Sequence, residues 1–301
     1  MTQAALAPGG FDEFEMHQVL KRGCAAVGLD SSEARLLRGH TNAVIHLVKE
    51  HVVVKIARKG SRIDDVARTV RFVRWLMDAG FPTVSLHPVD QPVGVGQHAL
   101  TFWEYLPQPS DPVPAAQLAK PLYSLHTLPA SPEALPAHDN LAAIRRSLKS
   151  ITCLSDEALA FLNGSTEQLE SALHVVQFEL PEGVIQGDPQ HRNALHTASG
   201  GAVLCDWDTV AIGQPEWDLV TVEVHCRRFG HGSQHYEAFA NTYGWDVTRW
   251  SGYQTLAAIR ELRMITTNAR KVSDAPTSLQ EVERRVEGLR CHDRALRWNI
   301  L

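Results

Sequence analysis

Val184-Ile185-Gln186-Gly187-Asp188-Pro189-Gln190-His191-Arg192-Asn193-Ala194-Leu195, followed beyond Gly200-Gly201 by Val203-Leu204-Cys205-Asp206-Trp207-Asp208, is the stretch that decides how the chain is read. Its two apolar runs, Val184-Ile185 and Val203-Leu204-Cys205, have the composition of strand ends, and the glycine pair between them marks a tight turn. Each run leads into oxygen-bearing side chains. Asp188 follows the first, with the amide of Asn193 five positions on, and Asp206 and Asp208 close the second. Hard oxygen donors of this kind suit magnesium, which takes one or two carboxylates together with substrate phosphates.

Bulk properties narrow the function classes. A chain of 301 residues has room for two lobes and a sizeable core. Hydrophobic content of 44% beside 21% charged residues is that of a globular protein. The net charge of -5, with no long Lys/Arg run, argues against a nucleic-acid partner. The cysteines (Cys24, Cys153, Cys205, Cys226, Cys291) are scattered with no Cys-x-x-Cys pair, which points to a reducing compartment. Met1 to Gly10 lacks the basic start and apolar core of a signal peptide, and no apolar run reaches membrane-spanning length. The expectation is a soluble, cytoplasmic protein with no membrane partner.

Outward from the deciding stretch, the periodicities predict a leading helix within Phe11 to Leu29, then three antiparallel strands at Ala34 to Arg38, Ala43 to Val48 and His51 to Ile56. Ile63, Val66, Val70, Val73, Leu76 and Met77 recur at helical spacing until Gly80 and Pro82. Gly94-Val95-Gly96-Gln97-His98-Ala99 matches a dinucleotide fingerprint, but the run from His98 to Trp103 is strand-like and aromatic, so the glycines are read as a hairpin turn. Pro107, Pro109, Pro112 and Pro114 mark a boundary. Beyond it the chain is helical, with further helices predicted near Trp217 to Arg228, Gln234 to Tyr243, Trp250 to Lys271 and Leu279 to Leu296. Asp218 is read as a cap or dipole partner of the first of these. His225, Cys226, His231 and His235 include an i, i+4 pair with metal-ligand spacing, but Gly230 and Gly232 interrupt the segment, so a zinc site is not expected there. No Gly-x-Ser-x-Gly, His-Glu-x-x-His or Gly-x4-Gly-Lys-Ser/Thr motif is present, which leaves hydrolase, zincin and P-loop readings without a starting point.

The Asp-x-x-x-x-Asn spacing of Asp188 and Asn193 also occurs in the catalytic loop of protein kinases. Together with Asp206-Trp207-Asp208 and Gly213-Gln214-Pro215-Glu216-Trp217-Asp218-Leu219, it resembles the aminoglycoside phosphotransferase and choline kinase-like superfamily. The resemblance covers roughly Leu36 to Arg263. It implies that Asp188 is the catalytic base, that Asn193 and Asp206 hold the metal and that Lys55 steadies the nucleotide. The turn containing Thr41, Asn42 and Ala43 would lie over the phosphates, and backbone groups near Glu104 and Leu106 would meet the base. Two departures stand out. Gln186 takes the place of the usual His before Gly-Asp, which puts a loop-shaping hydrogen bond in question. The helix before Trp75-Leu76 has no Glu to pair with Lys55, and Asp65 is the substitute, unless it only favours the helix dipole. Leu122-Tyr123-Ser124-Leu125-His126 resembles a family segment with a packing role. Asp208 and Glu261 are candidates for the acceptor site.

These readings predict an α+β, two-lobed protein-kinase-like fold, with a small antiparallel-sheet lobe over 1–106 (1–10 disordered) and a larger helical lobe over 107–301. The implied function is an ATP-dependent phosphotransferase, with GTP as alternative donor and Mg2+ as the metal, acting on a hydroxyl of a small molecule. An antibiotic is the favoured acceptor, which would make the protein a resistance enzyme. The alternatives are a kinase of a primary metabolite such as an amino alcohol or sugar, and a nucleotide-binding pseudokinase. The expected assembly is a monomer or weak homodimer.

Overall fold

A computed structural model of the chain describes residues 6–7, 11–39, 42–273 and 275–301, with the backbone alone at Leu6, Ala7 and Phe11. Two units emerge: Met1–Asp111 with Ser131–Ala134 and Leu195–Asp208, and Pro112–Ala130 with Leu135–Ala194 and Thr209–Leu301. The chain leaves the first unit inside the proline-rich stretch and returns to it for Leu195–Asp208, an excursion that chain order alone does not reveal.

In the first unit, β1 (Leu6–Ala7) pairs with β2 (Phe11–Asp12), and α1 (Glu13–Ala26) starts at Asp12, whose carboxylate accepts from the Glu15 N–H at 2.8 Å. β3 (Ala34–Gly39), β4 (Ala43–Leu47), β5 (Val52–Ile56), β6 (Val93–Val95) and β7 (His98–Glu104) form an antiparallel sheet in the order β3-β4-β5-β7-β6. The predicted glycine hairpin is the β6–β7 turn, with Gly96 at φ 61. One face of the sheet, carrying Ala43, Ile45, Leu47, Val52, Val54, Ile56, Leu100 and Phe102, buries against Met16, Val19, Leu20 and Cys24 of α1. Because side chains alternate along a strand, Val53 and Lys55 leave on the other face. α2 (Ile63–Asp78) buries Val70, Val73 and Leu76 of the stripe its spacing predicts, together with Phe72, while Ile63 and Met77 at its two ends are exposed.

The second unit contains α3 (Ala115–His126), α4 (Asn140–Leu148), α5 (Asp156–Leu173), β8 (Gly183–Ile185), β11 (Ala211–Gly213), α6 (Glu216–Arg228), α7 (Ser233–Tyr243), α8 (Tyr253–Arg270) and α9 (Leu279–Arg290). Between β8 and β11 the chain forms β9 (Ala194–His196) and β10 (Ala202–Leu204), which pair with one another. Ile259, Leu262, Ile265 and Ala269 of α8 share a core with Leu141, Ile144 and Leu148 of α4, Leu162 of α5, and Val282 and Val286 of α9. α6 is buried at every position except Arg227. The last helix ends at Arg290, not Leu296. His292 turns left-handed (φ 53) and the Asp293 N–H bonds back to Gly288 O at 2.8 Å, a C-terminal closure that apolar periodicity does not signal.

Candidate active site

Lys55 stands on the β5 face that the core does not use. Its Nζ donates to Asp206 Oδ1 at 2.6 Å and lies 2.8 Å from Asp208 Oδ1. Burial pulls the ammonium pKa down, but the two carboxylates outweigh it and hold the group above the usual lysine range. Asp206 and Asp208 follow β10, and Trp207 between them pins the loop. Its ring is buried against Phe72 and Phe81, and its Nε1 donates to Thr83 Oγ1 at 2.8 Å. Asp206 itself has φ 57. That region is uncommon for a residue with a Cβ and most accessible to Asp and Asn, and such conformations concentrate at functional sites. Asn42 donates from Nδ2 to Asp208 Oδ2 at 2.8 Å and accepts at Oδ1 from the Arg58 N–H at 3.2 Å, so the β3–β4 turn is tied to the acidic loop. Ala43 begins β4 fully buried, while Thr41 lies outside the described residues.

The carboxylates of Asp206 and Asp208 at this locus are hard oxygen donors, which fit a magnesium ion by the chemistry of its ligands. Asp65 is not part of it. It sits exposed in the first turn of α2, paired with Arg68 Nη2 at 2.8 Å, while Lys55 is engaged by Asp206 and Asp208. At the expected hinge, the Glu104 N–H donates to Ser85 O at 2.9 Å and its carboxylate meets His87 Nδ1 at 2.8 Å. Leu106 O accepts from Gln108 Nε2 at 3.2 Å.

The second group of side chains follows β8. Gly187 has φ +85, and a Cβ there would lie 2.4 Å from Thr209 O, so only glycine suits the position. Asp218, fully buried in the first turn of α6, accepts from the Gln186 N–H (2.7 Å) at Oδ2 and the Gly187 N–H (2.9 Å) at Oδ1. His126 Nε2 is 3.1 Å from the same carboxylate, and its Nδ1 is 2.8 Å from Tyr243 Oη. The Trp217 Nε1–H donates to Gly187 O at 2.8 Å. Asp218 therefore caps the loop rather than its own helix, and the histidine expected only to pack supports it. Gln186 is fully buried and its Oε1 accepts the Asp188 N–H at 2.7 Å, so a loop-shaping hydrogen bond is present without histidine.

Within this frame Asp188 is well determined. Its Oδ2 accepts from Gln190 Nε2 (3.0 Å) and Asn193 Nδ2 (3.3 Å), and its backbone oxygen accepts from Asn193 Nδ2 at 2.9 Å. Asn193 thus commits its amide nitrogen to Asp188. The Oδ1 of Asp188 meets Arg260 Nη2 at 2.5 Å. Arg260 also donates to His225 Nε2 at 3.0 Å, with its guanidinium 5.8 Å from the centre of the Trp217 ring. Burial foremost, with the Arg260 charge, pushes His225 well below the usual histidine range, which keeps it a neutral acceptor. The sequence does not single out Arg260, although it points to the neighbouring Glu261. Glu261 is buried, and its Oε1 is shared by Arg227 Nη1 (2.9 Å) and Arg228 Nε (2.7 Å), which engages it in an ion-pair network between α8 and α6. The 3.6-residue helical period explains the exchange, since adjacent residues point about 100° apart.

The family model described as the phosphotransferase enzyme family (APH) matches residues 33–259. No curated protein matches the chain at a significant level. Among solved structures, amicoumacin kinase in complex with AMP-PNP, Ca2+ and Ami superposes with a TM-score of 0.70 at 11% identity, covering 96% of each chain. A choline/ethanolamine kinase family protein from Mesorhizobium loti gives 0.66 at 17% identity, over 92% of this chain and 94% of that one. Spectinomycin phosphotransferase in complex with ADP and spectinomycin gives 0.66 at 14% identity, over 92% and 98%. At these identities the likeness carries the fold, which is the kinase-like architecture expected from the sequence.

Proposed function

Because this chain belongs to the phosphotransferase enzyme family, we propose that it moves the terminal phosphoryl group of ATP, with GTP as the alternative donor, to a hydroxyl of a small antibiotic. The observation that carries the reading is the Asp188 carboxylate, held in one orientation by Arg260, Gln190 and Asn193 on a loop braced by Asp218 and Gly187. In this reading Asp188 accepts the acceptor's hydroxyl proton as the oxygen bonds to the γ-phosphorus and the bond to the β–γ bridging oxygen breaks, releasing the nucleoside diphosphate. Lys55 supplies positive charge to the phosphates, and Asn42 and Ala43 set the turn expected to cover them. Glu104 and Leu106 offer backbone groups to the base. Asp206 and Asn193 are the oxygen donors assigned to magnesium, and Asp208, which shares Lys55 with Asp206, is a candidate for the acceptor site. When bound, the ion would neutralise charge on the phosphates. Positioning and charge complementarity supply most of the rate.

The antibiotic assignment is supported by the likeness to kinases solved with amicoumacin and with spectinomycin. The second reading, a kinase of an amino alcohol, is supported by the choline/ethanolamine kinase family neighbour. Both use the same groups. The test is incubation with ATP and magnesium and a panel of hydroxylated antibiotics, amino alcohols and sugars, read by mass spectrometry. A gain of one phosphate on an antibiotic, with stoichiometric ADP, is the expected result. Gain only on an amino alcohol or sugar selects the second reading. Nucleotide binding with no acceptor phosphorylated and no ADP formed overturns both in favour of a pseudokinase.

A further inference from the structure

The second unit holds a side-chain cluster that phosphoryl transfer does not use. His191 opens the single 3-10 turn His191–Asn193 after Asp188, His231 lies between Gly230 and Gly232, and His235 is in the first turn of α7. One ligand-capable ring nitrogen from each falls within 4.8 Å of the other two. His231 and His235 do not share a helix, because Gly232 (φ 90) stands outside α7, and the third member comes from the catalytic loop. Of the neighbours that looked metal-like in sequence, His225 is committed to Arg260, and the Cys226 thiol is pushed up to about 12 by burial.

We propose that His191, His231 and His235 bind one divalent transition-metal ion of the zinc class, chemically distinct from the magnesium assigned to the carboxylates. Three imidazoles with no carboxylate among them select zinc, copper, nickel or cobalt over magnesium and calcium. The hydrogen bonds show how an ion would enter. The Ala115 N–H donates to His235 Nε2 at 3.0 Å, so the hydrogen between His191 Nε2 and His235 Nε2 (2.9 Å) belongs to His191. Two donors thus converge on one lone pair, where a cation can replace them.

Tetrahedral zinc with bonds of about 2.0–2.1 Å sets its ligands about 3.3 Å apart. His191 and His235 need to separate by only a few tenths of an ångström from their present 2.9 Å. His231, stacked 4.3 Å from the His191 ring, is exposed and can swing in without disturbing a core. Ala115 is the first residue of α3 and is fully buried, so binding through His235 Nε2 takes the acceptor from one orphan helix-start N–H, a cost that the metal bonds have to exceed. The ion would tie the end of the catalytic loop to the turn between α6 and α7.

The test uses the full chain, stripped with chelator and dialysed against micromolar zinc chloride, with bound metal counted by elemental analysis. One zinc per chain is expected, with a rise in melting temperature. Cobalt in its place should show the visible absorption of a tetrahedral nitrogen-bound ion. His231→Asn, at an exposed position, and His235→Asn should each weaken zinc binding by more than about tenfold, while Asp206→Asn keeps it. If His235→Asn does not fold, His231→Asn decides. No zinc retained by the wild-type chain, or equal retention by wild type and His231→Asn, overturns the proposal.

Discussion

Asp188 receives three side-chain donors on its carboxylate, one of them charged. Asp188→Asn preserves the size of the group but removes its basicity. Transfer should fall by about 10²–10⁴-fold, the range for general-base chemistry, while nucleotide affinity measured by calorimetry stays within a few-fold. A fall of less than about tenfold would mean that the side chain only shapes its loop, because Asn caps nearly as well as Asp. Asp65 gives the contrasting case. Its one observed ion pair is with Arg68 on an exposed turn, worth about 0–1 kcal/mol. Asp65→Ala should therefore keep turnover, whereas Lys55→Ala should lose it, since Lys55 already has Asp206 and Asp208 as partners. Lost turnover in Asp65→Ala with an unchanged melting temperature would return the Lys55-pairing role to Asp65.

The catalytic loop is defined by its neighbours as much as by its own residues. α6 supplies Asp218 to two consecutive backbone N–H groups and Trp217 to the Gly187 carbonyl, and α8 supplies Arg260 to Asp188. An Asn at 218 has one acceptor oxygen for two N–H donors and turns an NH2 toward the other. With charged hydrogen bonds contributing about 1.5–3 kcal/mol each, Asp218→Asn should lower stability by about 2–4 kcal/mol, read as a shift in the urea midpoint. It should also lower kcat, because the peptide bearing Asp188 is no longer fixed. An unchanged midpoint would show that the loop holds itself. The sequence places Asp218 at a helix start, where a capping role is the ordinary expectation. What it caps is decided by α6 packing beside the end of β8, a contact between segments about thirty residues apart.

Across the whole molecule, the partly buried His138 links stability to pH. His138 is brought down to about 4, by burial first, with Arg263 and Arg260 adding to the effect and Asp218 opposing it. Between the usual histidine value of 6.5 and about 4 the unfolded chain binds a proton that the folded chain does not. Stability is then fully present above about pH 6.5 and is lost as pH falls toward 4, by roughly 3 kcal/mol at most for this one group. Denaturation curves at pH 7.5, 6 and 5 should show a smaller acid loss for His138→Gln than for the wild type, and parallel profiles would count against it. No described helix is long and apolar enough to cross a membrane. By itself the sequence determined the central strands, most of the helix stripes and the hairpin at Gly96, and it marked Asp188, Asn193, Asp206 and Asp208 as candidates by their spacing, because periodicity and turn chemistry are local and those polar residues stand close along the chain. Only the tertiary structure decided that Gln186 serves as the loop's acceptor, that Arg260 rather than Glu261 reaches Asp188, that Lys55 pairs with Asp206 and Asp208, and that His191 joins His231 and His235. Each of these depends on packing between segments far apart in the chain, and on side-chain directions that spacing along one strand or helix does not encode.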